Sequence, residues 1–525
     1  MRLVLDDLAS RLPGERHHVL GNSKTAPVVD ADLGDDQRRF GGAYFAMSDL
    51  HERVFPYVFQ FGLAGSAVTS QAPLAPKPKE GLVLAMTRTP NAQSRAPLRY
   101  RAAIAIYQAV LWAAMPLVWR YFRRRAERDP AYGLHLDERR GVFGGNPVDV
   151  WIHAVSLGEF RSAEPVIRGL LSAGKSIILT HATPAGRAAS EAALATEIGT
   201  GRVQVSYAPV DRISAWSRFF RVAQPRAGLI FEMEFWPGMT EAAVSFGVNL
   251  WFVNSQIPEK SFPRVLKAAR LLGSHPATRA QGVMAKSTRM ASRFKALGAA
   301  NVEVVGETRF DIEPPSLQVA AGQTLKAQIG ARPLYVFASV VEGEEHVYMA
   351  ACQDLGRAKP KPLVIWVPRA PEVFQSTYEM LRNAGLHVGR RSTEITERLE
   401  LIGSPNDFDI LLGDSFGEMF FYLSGADVVS VGGGFVEKGA HNVIEPLALG
   451  KPIVTGPHIW TIEFPGREAR DAGVLTICKD PDGLADALTL ARDNSVDAAC
   501  DFHRANIGAS GRIVKAVIGW MEQVQ

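Results

Sequence analysis

Cysteine is almost missing from this chain: three residues in 525, at positions 352, 478 and 500. They are far apart and share no partner spacing, so neither a disulfide framework nor a zinc site is indicated, and a reducing compartment is the natural reading. Net charge is scarce too, at +4 over the whole length. No basic stripe interleaved with aromatics accompanies it, which sets nucleic acid aside as a partner. A G-x-G-x-x-G turn is also lacking, which weakens any reading as a dinucleotide-dependent oxidoreductase.

Long apolar runs are few, and the one from Ala102 to Trp119 stands out. It is apolar apart from Gln108 and is followed by Arg120, Arg123, Arg124, Arg125 and Arg128. About 18 residues is the lower edge of what crosses a bilayer, and Trp112, Trp119 and Tyr121 suit a membrane interface. Residues 99–128 therefore read as a membrane anchor, single-pass or deeply embedded, with its basic flank on the cytoplasmic side. A buried helix of a soluble domain is the alternative, given the short length and Pro116. Upstream, residues 1–98 show no assignable role. Val68 to Pro97 is rich in Ala, Pro, Ser and Lys and reads as a linker, Phe55 to Phe61 has no clean period, and Met86 offers a later start to the reading frame.

At this length two or three domains are expected. After Asp129 apolar strands alternate with helical stretches: Val148 to Val155, Ser176 to Thr180, Val203 to Tyr207, Ala227 to Phe231 and Asn249 to Val253. The alternation restarts beyond Glu313-Pro314-Pro315 with Leu334 to Ala338, Leu363 to Val367, Ile410 to Leu412, Val428 to Val431 and Pro452 to Thr455. This pattern predicts an α/β protein with two Rossmann-like domains, 129–312 and 334–525, joined by a linker at 313–333. Ligands in such sheets bind beyond the carboxyl ends of the strands, so the cleft between the domains is where chemistry is expected.

Several strand ends carry suitable residues. Val428 to Val431 runs into Gly432-Gly433-Gly434 and, after His441-Asn442-Val443-Ile444-Glu445, a helix closed by Gly450. Such a turn admits a ligand to the backbone, and a helix N-terminus favours an anion. A glycine triplet alone is equally a device for tight packing. Leu412 leads into Gly413-Asp414-Ser415-Phe416-Gly417-Glu418, and Val367 into Pro368-Arg369. Together these segments predict a nucleotide pocket. In the first half, Ile152 to Val155 ends in Ser156-Leu157-Gly158-Glu159, and Leu229 to Phe231 in Glu232-Met233-Glu234. Read alone, Glu159 is a carboxylate favouring the first turn of a helix. His153 and His441 read as structural histidines, and Trp236 as packing.

The ordered set Ile152 to Glu159, Glu232 to Pro237, Gly306 to Asp311, Glu342 to Glu345, Pro368-Arg369 and Gly432 to Pro446 resembles the 3-deoxy-D-manno-octulosonic acid (Kdo) transferases of lipopolysaccharide synthesis, from about Tyr100 to the C-terminus. The resemblance implies a GT-B glycosyltransferase. Such an enzyme moves Kdo from CMP-Kdo to a lipid A precursor (lipid IVA) at the cytoplasmic face of the inner membrane, inverting the anomeric centre and using no metal or other cofactor. By motif, Glu159 matches the catalytic base, and Glu232 and Arg309 match residues that stabilise the transition state. Pro368, Arg369, Phe416, Gly417, Glu418, Asn442, Val443, Ile444 and Glu445 match segments that contact CMP. The triplets Asp30-Ala31-Asp32 and Asp407-Phe408-Asp409 have the spacing that metal-using sugar transferases employ, but lie in the wrong setting.

The chain departs from the family pattern at Gln256, Val340, Val341, Ala370 and Ala440, and carries Arg309 where the family has lysine. Those departures motivate two alternatives: a GT-B transferase of different donor or acceptor, and a catalytically silent binding protein of envelope assembly. Glu159, Arg369 and Glu445 together argue against the silent form.

Overall fold

The computed structural model describes residues 96–492 and 496–522. The expectations about Asp30 and Asp32, Phe55 to Phe61 and Met86, and nearly all of the linker reading before Pro97, lie outside the described residues. Helix α1 (Leu98–Ala126) opens the described chain. Beyond it stand two seven-stranded sheets with every pairing parallel. The first holds β1 (Val150–His153), β2 (Ile177–His181), β3 (Val203–Tyr207), β4 (Ala227–Phe231), β5 (Asn249–Ser255), β6 (Gly282–Ala285) and β7 (Val302–Val304), in the order β3-β2-β1-β4-β5-β6-β7. The second holds β8 (Leu334–Val340), β9 (Leu363–Pro368), β10 (Val388–Arg390), β11 (Ile410–Leu412), β12 (Val428–Val431), β13 (Ile453–Thr455) and β14 (Leu475–Ile477), in the order β10-β11-β9-β8-β12-β13-β14. This is the two-domain GT-B architecture expected. All ten strands read from the sequence are present. Strands β6, β7, β10 and β14 were not expected; all are short, and the last three are sheet edges that carry half-buried or exposed residues such as Val304, Arg390 and Ile477.

Burial on both faces explains why the central strands read as unbroken apolar runs. In β1 all four residues are buried. Trp151 faces one layer with Trp216, Phe219 and Phe220. Val150 and Ile152 face the other, against Phe160, Val166, Ile167 and Leu170 of α2 (Leu157–Ser172). Strand order reverses beside β1 in the first sheet and beside β8 in the second, which opens a crevice at each set of carboxyl ends.

Two stretches differ from the expected boundaries. Residues 313–333 contain a helix, Ser316–Ile329, whose Leu325 and Ile329 join the core of the second domain. Pro314-Pro315 thus precedes a helix start rather than an extended linker. The remaining labelled helices are α3 (Thr288–Ala296), α4 (Ile444–Ala448), α5 (Glu463–Asp471) and α6 (Ala509–Glu522). Helix α6 lies within the stretch 334–525 yet packs on the first sheet. There Trp520 stacks on Trp251 at 4.1 Å, and Ile513, Val517 and Met521 enter the same core.

Helix α1 is docked along one face. Tyr100, Ala103 and Ile104 pack with Leu272 near its start, and Met115 and Phe122 pack with Tyr132, Val210 and Ala215 near its end. Its mid-helix polar residues face the domain as well: Tyr107 donates to Asp211 Oδ2 at 2.9 Å, Gln108 donates to the Asp211 carbonyl at 2.8 Å, and the Ile213 amide donates to Gln108 at 3.0 Å. The opposite face leaves Leu98, Ile106, Val110, Trp112 and Leu117 exposed. This is the one helix among the described residues long and apolar enough to cross a membrane.

The domains are latched by a buried ion pair. Arg293 on α3 holds Glu463 at the start of α5 with two bonds of 2.6 and 2.8 Å, and the Glu259 amide adds a third at 3.0 Å. Burial alone would raise the Glu463 carboxyl, and Arg293 outweighs it, holding the group below the usual carboxylate range. Replacing Arg293 by methionine strands that buried charge and is expected to destabilise the protein by about 3–5 kcal/mol. Denaturant unfolding measures it, and a loss below about 1 kcal/mol, the value of an exposed pair, would contradict the assignment.

The interdomain cleft

The loop after β1 turns directly into α2. Ser156 is extended and caps the helix, its Oγ accepting from the Glu159 amide at 3.4 Å, while Glu159 Oε2 accepts from the amides of Val155 and Ser156. This is a reciprocal capping box. Glu159 therefore does start the helix, as its position alone suggested, and it does so almost fully buried. A Cβ on Gly158 would meet nothing closer than Ser156 Oγ at 3.9 Å, so packing within the chain does not require glycine there.

A cavity of about 760 Å³ opens at this junction. It runs from Tyr121, Phe122 and Arg125 on α1, past Ser156, Gly158, Arg161 and Glu234, to Arg369 and Phe416 of the second domain. Glu234 hydrogen-bonds Glu159 and accepts from Trp236 Nε1 at 2.6 Å. Burial, with Glu232 nearby, pushes its carboxyl up to about 7. Trp236 is thus both buried packing and a donor to the cleft.

At the ends of β4, β5 and β6 lies a second group of charges. Glu232 and Asn254 hold positive φ angles of 61° and 51° without being glycine, strain of the kind that persists where surroundings enforce it. Asn254 Nδ2 donates to both Glu232 and Glu307 at 2.9 Å, and Gln256 donates to Glu232 at 3.3 Å. Fully buried Lys286 bridges the same carboxylates at 2.6 and 2.7 Å. Arg309 grips Glu307 through Nε and Nη2 at 3.2 and 3.1 Å. Burial would raise Glu307, and the charges of Arg309 and Lys286 outweigh it, holding it well below the usual range.

The glycine turn of the second domain behaves differently from a phosphate cradle. Glu344, fully buried, accepts from the amides of Gly433 at 2.7 Å and Phe435 at 2.8 Å, so those amides are not free for a ligand. Added Cβ atoms at Gly432, Gly433 and Gly434 would come within 2.5 Å of other atoms of the chain. Tight packing accounts for the triplet. The helix beyond it, α4, is only five residues long, and Asn442 Oδ1 accepts from the Ile444 amide at 2.9 Å.

The residues expected to contact the nucleotide separate into two sets. Arg369 and Phe416 reach the cavity, and Glu445 lies in the field of Arg161, Arg309 and Arg369, three cations from both domains that oppose the rise burial gives it. Val443 and Ile444 place their side chains in the core, Pro368 is buried at the end of β9, and the Gly417 carbonyl accepts from Gln318. Glu418 is taken up by a bidentate pair with Arg391 at 2.6 and 2.7 Å. His153 and His441 are driven down by burial to about 3 and about 4, so both are neutral at pH 7. Among the described residues no group of three or more His, Cys, Asp or Glu is placed to hold a metal ion.

Arg161 and Lys286 were missed from the sequence. Arg161 sits two residues beyond Glu159, a spacing that ordinarily points away from the same face of a helix. Lys286 follows β6, a strand the reading did not recognise.

The family profile described as "3-Deoxy-D-manno-octulosonic-acid transferase (kdotransferase)" matches residues 134–312. A 3-deoxy-D-manno-octulosonic acid transferase of Bordetella pertussis is 34% identical over 435 residues, covering 79% of this chain and 99% of the relative. Its namesake in Haemophilus influenzae is 28% identical over 441 residues, covering 79% and 98%. Among solved structures, the C-terminal CMP-Kdo binding domain of WaaA from Acinetobacter baumannii aligns with 38% of this chain and 97% of its own, at 24% identity and a TM-score of 0.30. UDP-GlcNAc 2-epimerase from Neisseria meningitidis aligns with 70% and 99%, at 13% identity and 0.48.

Because the Glu234 carboxyl is raised, its protonated form contributes stability that is fully present below the ordinary carboxylate pKa and lost as pH rises through about 7. Wild type should therefore lose unfolding free energy relative to Glu234→Gln between about pH 5 and about pH 8. Parallel curves for the two proteins would contradict the raised value.

Proposed function

This chain belongs to the 3-deoxy-D-manno-octulosonic acid transferase family and is a glycosyltransferase, and we propose that it transfers Kdo from CMP-Kdo to a lipid A precursor in lipopolysaccharide synthesis, with inversion and with Glu159 as general base. The observation that carries this reading is the cavity that begins at α1 and runs past Ser156, Gly158, Arg161 and Glu234, the hydrogen-bond partner of Glu159, to Arg369. A lipid acceptor enters such a cavity from the membrane side and presents its sugar hydroxyl at Glu159.

A sugar hydroxyl is a poor nucleophile, and a carboxylate that takes its proton as the bond forms contributes rate directly. Glu159 Oε2 is fixed by two backbone amides, so the carboxylate is oriented before substrate arrives. The leaving group, cytidine monophosphate, departs already charged, and Arg161, Arg309 and Arg369 supply positive charge where it develops. The exposed apolar face of α1, with Trp112 and Leu117, lies in the membrane surface, and the arginines from 120 to 128 meet anionic headgroups on the cytoplasmic side. Because both ends of α1 dock on the domain, the embedded placement suits it better than a crossing. A second reading, a different donor or acceptor, is favoured by Val340 and Val341, which are buried and apolar where the family pattern has a hydroxyl and an imidazole.

The test is transfer from CMP-Kdo, generated in place, to a tetraacylated lipid A precursor. Glu159→Gln is expected to lose on the order of 100- to 10,000-fold in rate. Undiminished transfer by that variant would refute Glu159 as base, and absence of transfer by the wild type would refute this donor and acceptor pair.

A further inference from the structure

Lys286 is a fully buried ammonium that the transfer chemistry above does not use, and a buried charge is costly unless its surroundings need it. We propose that Lys286 is a positioning residue of the cleft, neutralising Glu232 and Glu307 so that Arg309 keeps an open edge for the anionic donor. The proposal rests on the transfer reading for what that donor is, and on the geometry of the cluster for the rest.

All four carboxylate oxygens of Glu232 and Glu307 are occupied. Asn254 holds one oxygen of each, and Lys286 holds the other oxygen of each, with Gln256 and Arg309 completing the set. Arg309 spends Nε and Nη2 on Glu307, and its side chain remains about one third exposed. Glu232 and Glu307 carry two negative charges, matched by Lys286 and Arg309, so the cluster is neutral. Without Lys286 the same cluster carries a net negative charge, and Arg309 becomes the sole cation serving two carboxylates. An anionic donor would then meet a repelling floor and a withdrawn guanidinium. The charged groups facing Lys286 are Glu232 from the end of β4 and Glu307 from the segment after β7, with Arg309 one step beyond. Left-handed Glu232 and Asn254 are both members of the cluster, so the strain is concentrated where the charges are ordered.

The test compares wild type, Lys286→Met, Glu232→Gln and the charge-balanced Lys286→Met/Glu232→Gln. Calorimetric binding of CMP is expected to weaken by about tenfold in Lys286→Met and to recover most of that loss in the double variant, the non-additivity that coupled neighbours show. In the transfer assay Lys286→Met is expected to lower kcat by about 100-fold, with the acceptor KM changed by less than about twofold. A third readout is unfolding. In wild type the Glu307 carboxylate is held below the ordinary range, partly by Lys286, so it contributes stability that is present above that range and lost as pH falls, and Lys286→Met removes part of that contribution. The stability gap to wild type should therefore open as pH rises through the ordinary carboxylate range, from about pH 3 to about pH 5, and the double variant should show less of it. Additive losses of CMP affinity, or a gap independent of pH, would overturn the proposal. Absent Kdo transfer by the wild type would overturn only the transfer reading, since CMP binding and unfolding still decide the role of Lys286.

Discussion

The junction of β1 and α2 depends on one reciprocal hydrogen-bonding arrangement. Ser156 caps the helix and Glu159 returns the bond, so a carboxylate whose charge suits the first turn is held at the carboxyl end of the central strand and beside the cavity. The helix start and the proposed base are the same residue. Burial keeps its hydrogen-bond partner Glu234 from ionising early, raising that carboxyl to about 7.

Charge is partitioned across the cleft with some economy. Carboxylates that serve the fold are fully bound: Glu344 by the amides of the glycine turn, Glu418 by Arg391, and Glu463 by Arg293. Arg161 and Arg369, one from each domain, line the cavity, and both act with Arg309 on the carboxylate of Glu445. An excess of cations facing a carboxylate pair is suited to a donor that is an anion and an acceptor that must lose a proton. The buried latch at Arg293 and Glu463, together with α6 crossing back onto the first sheet, keeps the two walls in register.

Much of this was legible in the sequence, for physical reasons. Central parallel strands are apolar on both faces, so their runs are unmistakable, and two Rossmann-like domains follow from two such sets. The edge strands β7, β10 and β14 carry mixed residues and vanish into the background. The helix at Ser316–Ile329 was hidden behind Pro314-Pro315, which reads as a break although proline also precedes helices. Glu159 and Arg369 each follow a strand end, which made their place beside the crevice legible, while the role given to Glu159 came from the resemblance. The role of the glycine turn was misjudged, since no local pattern reveals that Glu344, some ninety positions earlier in the chain, occupies its amides. Lys286 escaped for the same reason: a single lysine after a short strand says nothing until Glu232 and Glu307 are seen on either side of it.

The central claim is that an anionic donor is held by arginines facing the Glu159–Glu234 pair and not by the glycine turn. A structure of the protein bound to CMP tests it most directly. The account predicts the phosphate within hydrogen-bond reach of Arg369 and close to Arg309 or Arg161, with the Gly433 and Phe435 amides still bound to Glu344. A phosphate seated on those amides with Glu344 displaced, or bound outside the cleft, would contradict it.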